Sequence, residues 1–350
     1  MGYASTQAYQ IGFSLKQQEA YGTALPDLEI TMGHPIGETD PTDIGTEDAD
    51  NSQEFGKGHQ YPTEAETVAV DTSTNWNFQG SSLILGWITA LAMGDITTTQ
   101  PDEVLAPTVY KHKIKPKRLA DQSWGLQLPV TTIVEQLCVG DQAKYRDMLC
   151  TGFKVTGEQK KRLQVSASFK GSGHYATSNI TMPELAAVSF LRFAKVNFLY
   201  GGASINPELQ NFEYSFDNTV DEGGYHAGSP ALTADPNAPQ CRGFMLISDQ
   251  KTELKFKMLY KNNSLQTDLI NKTVKAITIE ATGDLIAETY YHYWKLTIPK
   301  CTLKVSKKGK ENGKYAYDVT VMLHWDETLQ APCEIEVQNT TPAYLETPEA

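Results

Sequence analysis

Residues 162–171, RLQVSASFKG, alternate apolar and polar side chains without a break. Leu163, Val165, Ala167 and Phe169 fall on one side of an extended chain, and Gln164, Ser166, Ser168 and Lys170 on the other. A helix cannot segregate residues at this period. The segment reads as a strand with one buried and one wet face, as antiparallel sheets have. The split recurs. Val68, Val70, Trp76 and Phe78 oppose Asp71, Ser73, Asn75 and Asn77, and Phe212, Tyr214 and Phe216 oppose Glu213, Ser215 and Asp217. Tyr317, Val319, Val321, Leu323 and Trp325 share one face of 315–325, opposite Asp318 and Thr320, and Leu28, Ile30 and Met32 oppose Asp27, Glu29 and Thr31. The chain is therefore expected to be mainly β.

Only two segments read as helices: 80–95, with Ser81 or Ser82 as a cap and Gly94 as its end, and 262–273, with Ser264 as a cap. Each follows a long alternating strand. Two acidic, turn-rich segments interrupt the pattern. Residues 31–67 hold nine Asp or Glu against one Lys, and residues 217–240 hold four Asp or Glu and no Lys or Arg. Connections of that length inside a compact domain carry function or lack order.

The chain also repeats itself. CTGFKV at 150–155 returns as CTLKV at 301–305, each ahead of a strictly alternating strand. Both halves read strand, long loop, strand, helix, strands, CT(x)KV strand, final strand. The order predicts two tandem, pseudo-repeated antiparallel β-sandwich or half-barrel domains, 1–180 and 181–350, each with one short helix. The alternative is two unrelated β domains with generic patterning.

The net charge of −12 argues against a protein that grips nucleic acid, which needs clustered Lys and Arg. Five scattered cysteines with no CxxC spacing predict reduced thiols, not a disulfide framework or zinc site. The first residues, MGYASTQAYQIGFSLKQQ, lack the basic and apolar stretches of a secretory signal. No GxSxG, HExxH or Walker loop occurs, and GSGH at 171–174 reads as a turn. His292 reads as a half-exposed strand residue, and the acidic run 38–54 lacks the DxDxDG order of a calcium loop. No enzyme activity, metal or cofactor is expected. Two basic runs remain: Lys111, Lys113, Lys115, Lys117 and Arg118, and the lysines of 300–310 with Lys307 and Lys308. They are either solvated hairpins or surfaces facing an acidic region of another subunit.

An ordered series of segments resembles the tail tube proteins of siphophages, bacteriophages with long non-contractile tails. LKQQEAYGTALP at 15–26 is similar to the family's first strand and turn, and 68–95 to its polar strand followed by an amphipathic helix. YKHKIKP at 110–116, YRDMLCTGFKVTGEQKKRLQVSASFKGSG at 145–173, FLRFAKVNFLYGG at 190–202 and DVTVMLHWDETLQAPCEIEVQNTTPAY at 318–344 continue the likeness nearly to the end. The resemblance implies a structural virion protein, assembled in the bacterial cytoplasm. Its rings would stack into the hollow tail that conducts DNA to the host without gripping it. The tape-measure, tail-terminator and tail-tip proteins would be its partners.

A lumen of about twenty-four strands needs roughly six domains of four strands, so two domains per chain predict a trimeric ring with pseudo-sixfold symmetry. The expected lumen-facing residues are Asp27, Glu29, Asp71, Ser73, Asn75, Gln164, Ser166, Glu213, Asp318 and Thr320. Glu38, Asp40, Asp43, Glu47, Asp48, Asp50, Asp221 and Glu222 are expected in loops that reach the next ring, opposite the two basic runs. The competing class is a two-domain β-sandwich adhesin or carbohydrate-binding surface protein. It would need exposed aromatic residues clustered on one face, for which YYHYW at 290–294 is the candidate.

Overall fold

A computed structural model describes residues 9–35, 40–48, 67–118, 126–138, 140–186, 188–221, 223–225, 240–311 and 313–347. The strands in chain order are β1 (Gln10–Phe13), β2 (Met32–Pro35), β3 (Asp43–Asp48), β4 (Thr67–Gln79), β5 (Gly94–Thr99) and β6 (Tyr110–Pro116). After them come β7 (Val130–Cys138), β8 (Asp141–Glu158), β9 (Gln164–Gly171), β10 (Tyr175–Thr177), β11 (Val196–Tyr200) and β12 (Ala203–Ser204). The remainder are β13 (Leu209–Val220), β14 (Ile247–Leu259), β15 (Lys275–Ala287), β16 (Tyr290–Glu311), β17 (Lys314–Leu323) and β18 (Glu334–Asn339). Helix α1 (Ser82–Met93) follows β4, and α2 (Ser264–Asn271) follows β14. The protein is mainly β, and its strands hydrogen-bond antiparallel into one large sheet.

Eight strands form one continuous run, in the order β3-β4-β9-β8-β13-β14-β17-β16. The first four come from the N-terminal half and the last four from the C-terminal half. Within each half the neighbours correspond: a hairpin ahead of the helix, then the closing strand, then the long CT(x)KV strand. The correspondence extends further, because β1 pairs β7 as β11 pairs β15. The halves are nevertheless stitched together, by β8 against β13 and by β18 against both β16 and β6.

The repeated CT motif marks a corner. The 18-residue β8 pairs β7 and β10 with its first part and β9 and β13 with its second. The 22-residue β16 pairs β15 and β18, then β17. Each strand shifts register at the motif, between Cys150 and Gly152 and between Leu303 and Val305. Such bulges bend a strand and raise its twist, which lets one strand serve two layers. Cys150 and Cys301 are both buried there, and all five cysteines are free thiols.

Between the layers lies α1. Ser81 caps it, accepting from the Ile84 N–H at 3.3 Å, and Gly94 ends it in the left-handed conformation at φ +79°. Every residue of α1 except Leu83 is buried. This corrects the expected amphipathic helix: a helix roofed by one sheet layer and floored by another must be apolar on all sides. Trp87 packs against Phe13 (4.2 Å between centroids) and Phe169 (5.8 Å), and Trp76 against Phe169 (5.3 Å). By contrast α2 lies at the surface, burying Leu265 and Asp268, and its first turn is met by Asn262, whose Oδ1 accepts from the Ser264 N–H at 3.0 Å. Among the described residues no helix is long and apolar enough to cross a membrane.

Candidate functional site

The eight-stranded run has a dry side and a wet side. Trp76, Phe78, Val165, Phe169, Phe153, Val155, Phe212, Tyr214, Phe216, Leu254, Phe256, Val319 and Val321 are buried on the dry side. Across the wet side the register sets Ser73 beside Lys170, Asn75 beside Ser168 and Asn77 beside Ser166. Ser166 then faces Lys154, Thr156 faces Glu213, Glu213 faces Lys255, and Asp318 lies between Lys257 and Lys307. Asp71, Ser73, Asn75, Gln164, Ser166, Glu213, Asp318 and Thr320, drawn from both halves, thus share one solvent face.

Asp27 and Glu29 do not. Pro26, Asp27 and the residues after them close a 3-10 turn, with Glu29 N donating to Pro26 O at 3.0 Å and Ile30 N to Asp27 O at 3.2 Å. Leu28 is 91% exposed, so the alternation over 25–32 mimics a strand without forming one. Lys144 holds Asp27 at 2.5 Å and Lys16 holds Glu29 at 3.1 Å.

The wet face is not the acidic surface that the overall charge suggests. Its carboxylates Asp43, Glu47, Asp71, Glu213, Asp217, Glu253 and Asp318 are interleaved with Lys154, Lys170, Lys251, Lys255, Lys257 and Lys307. Lys154 and Lys255 flank Glu213 at 3.4 and 3.9 Å, Lys257 meets Asp318 at 3.4 Å, and Lys170 lies 3.9 Å from Asp71. Partial burial pushes the Asp217 carboxyl up from its ordinary value, against the pull of Lys154 and Lys251. A hydrogen bond to Glu253 raises the Lys255 ammonium. Asn75 and Asn77 accept from Ser168 and Ser166, so hydroxyls also find partners within the face. Lys255 and Lys257 were visible in the alternation of TELKFKML at 252–259, which mirrors the polar strands of the first half.

The expected loop residues divide. Asp43, Glu47 and Asp48 lie in β3, at the edge of this sheet and not in a loop. Pairing with β4 orders them, although the sequence there is turn-like and acidic. Asp40 is exposed just ahead of β3, and Asp221 accepts from the Gly223 N–H at 3.1 Å. Glu38, Asp50 and Glu222 lie outside the described residues. Both acidic segments join the sheet at the same end, where Asp48 pairs Thr67 and Val220 pairs Ile247.

The basic runs also divide. Lys111, Lys113 and Lys115 sit on β6, away from the eight-stranded run and between β5 and β18, within 3.5–4.0 Å of Glu336, Glu334 and Asp95 of the same chain. The Lys117 N–H donates to Met93 O, and Arg118 donates to Gln330 at 2.7 Å and lies over Trp325. Lys307 and Lys308 lie on the far part of β16, the opposite edge of the sheet from β3. The aromatic cluster at 290–294 does not form an exposed platform: Trp294 is fully buried, and Tyr293 is tied to Glu336. His292 is half-buried and bonded to Ser82 at 2.9 Å. Among the described residues no three His, Cys, Asp or Glu side chains gather in a metal-binding group.

This architecture is a broad antiparallel sheet with one wet face and, among the described residues, edge strands β3 and the far part of β16 that each pair on one side. A family model described as phage tail tube protein matches residues 9–316, and the chain belongs to that family. It is thus a structural protein of the phage tail. No curated protein sequence matches the chain.

Proposed function

We propose that this chain is the major tube subunit of a siphophage tail, three copies forming each ring and the wet face lining the channel. The observation that carries the reading is the unbroken eight-stranded run, to which each half contributes four strands in the same pairing order. Three such runs make about twenty-four strands, a barrel wide enough for an aqueous bore. The matched order, the CT corner in each long strand and the equivalent placing of the helices support duplication of one tube domain, 1–180 and 181–350. Each chain then supplies two of six pseudo-equivalent positions.

The interleaved lysines and carboxylates suit a conduit. Lysines held by neighbouring carboxylates release few counterions to a passing phosphate, so DNA slides without a sticking point. Rings stack head to tail, a contact that does not close and so builds a filament. The two acidic segments leave one end of the sheet together, which fits a role against the next ring. The tape-measure, tail-terminator and tail-tip proteins are the partners this role requires. No catalytic step is assigned to it.

Ser166→Cys tests the reading. In free subunits a bulky maleimide polymer labels residue 166. In assembled tubes labelling slows at least tenfold while a cysteine at Lys113 stays reactive. Equal labelling of residue 166 in tubes and subunits refutes the lumen assignment.

A further inference from the structure

The run ends in two open edges. On one side β3 is paired only to β4, and on the other the segment Lys304–Lys310 of β16 is paired only to β17, among the described residues. Each edge presents a row of backbone donors and acceptors ready for another strand. Their charges are opposite: Asp43, Glu47 and Asp48 on β3, and Lys304, Lys307, Lys308 and Lys310 on β16. Charges on an edge ordinarily block pairing. Here each edge repels its own copy and attracts the other, which rejects the twofold contact and admits only the head-to-tail one.

Strand direction agrees. All seven pairings from β3 to β16 are antiparallel, so the two edge strands run in opposite senses. A copy rotated about a ring axis brings its β3 beside β16 antiparallel, and the alternation continues across the junction. The wet faces also match. Asp43 and Glu47 share the wet face with Ser73, and Lys307 shares it with Asp318, whereas Lys308 and Lys310 fall on the other face opposite Tyr317 and Tyr315, so on the wet side the basic partner is Lys307.

We propose that β3 of one copy pairs antiparallel with the Lys304–Lys310 segment of β16 of the next, and that the acidic and basic edges select this closure of the ring. The proposal rests on the tube reading above and names the surface that closes it. The two edges of one chain lie seven strand spacings apart, roughly 30 Å. A zero-length carbodiimide link between them is therefore intermolecular.

Wild-type protein at assembling concentration should yield carbodiimide-linked peptides joining Lys304, Lys307 or Lys310 to Asp43, Glu47 or Asp48. Lys304→Glu/Lys307→Glu/Lys310→Glu, and separately Asp43→Lys/Glu47→Lys/Asp48→Lys, should raise the concentration for half-assembly by roughly tenfold or more, with the subunit melt unchanged. The chain carrying both sets should recover to within about threefold of wild type. Rings that form without these crosslinks, or a single-edge variant that assembles like wild type, overturn the edge pairing and leave the tube reading intact. Wild-type protein that forms neither rings nor tubes overturns the tube reading, and the edge proposal with it.

Discussion

Asp147→Ala should be among the most damaging single substitutions away from the large core side chains. Asp147 lies within β8, fully buried and at φ 57°. Its Oδ1 accepts from Gln18 Nε2 at 2.8 Å and from the Gly22 N–H at 2.7 Å, and its Oδ2 accepts from Ser172 Oγ at 2.8 Å. Gln18 answers by accepting from the Asp147 N–H at 2.8 Å and from Thr132 at 2.9 Å. One carboxylate therefore fastens the turn at 18–22 to β8, just ahead of the Cys150 corner. Alanine orphans the Gln18 and Gly22 donors, at ~1–3 kcal/mol each, while the Ser172 hydroxyl can turn to another acceptor. The sum is about 4 kcal/mol. At ~2.1 cal/mol/K per residue, a chain of this length loses about 5 °C of melting temperature. Asp147→Asn keeps an oxygen for Gln18 and Gly22 and places an amide where Ser172 can accept, so its cost is about 1 kcal/mol. Differential scanning calorimetry on unassembled subunits measures both. If the Ala and Asn variants melt together, within about 1 °C of wild type, the network does not hold the corner and the reasoning fails.

Burial lowers the pKa of His34, His112 and His292, so the fold prefers each imidazole neutral. The unfolded chain takes up these protons near pH ~6.5. Their stability is therefore full above that pH and lost as pH falls below it, which a melting-temperature series from pH 8 to pH 5 reads directly. Glu213→Gln should free Lys154, while Lys255 stays held by Glu253, raising affinity for DNA and steepening its log–log salt dependence by about one unit, as measured by fluorescence anisotropy. Gly86→Ala would drive a methyl into the Tyr344 hydroxyl, which bonds Asn339 and the Leu83 carbonyl. It should cost ~1–3 kcal/mol by calorimetry and speed proteolysis of the C-terminal segment.

The sheet was legible because strict alternation leaves one arrangement that buries Leu163, Val165 and Phe169 while wetting Gln164 and Ser166. The same rule placed residues of both halves on one face. It misled at 25–32, where Pro26 and local hydrogen bonds closed a 3-10 turn over a sequence with strand-like spacing. Local pattern could not reveal β3, whose acidic residues resemble a loop until β4 supplies its ladder. The CT motif recurs in both halves of the sequence, but its role as a corner depends on which strands flank it. The apolar girth of α1 follows from layers above and below that no single segment encodes. The balanced charge of the wet face escaped because net charge averages over the chain, whereas Lys154, Lys255 and Lys257 find their carboxylates only across strands.

Helical reconstruction of assembled tubes by electron cryomicroscopy, at a resolution that traces side chains, tests the central claim most directly. The account predicts three chains per ring, with Ser73, Asn75, Ser166, Glu213 and Asp318 projecting into the bore. Six whole chains per ring with only one half lining the channel, or these side chains on the outer wall, would contradict it.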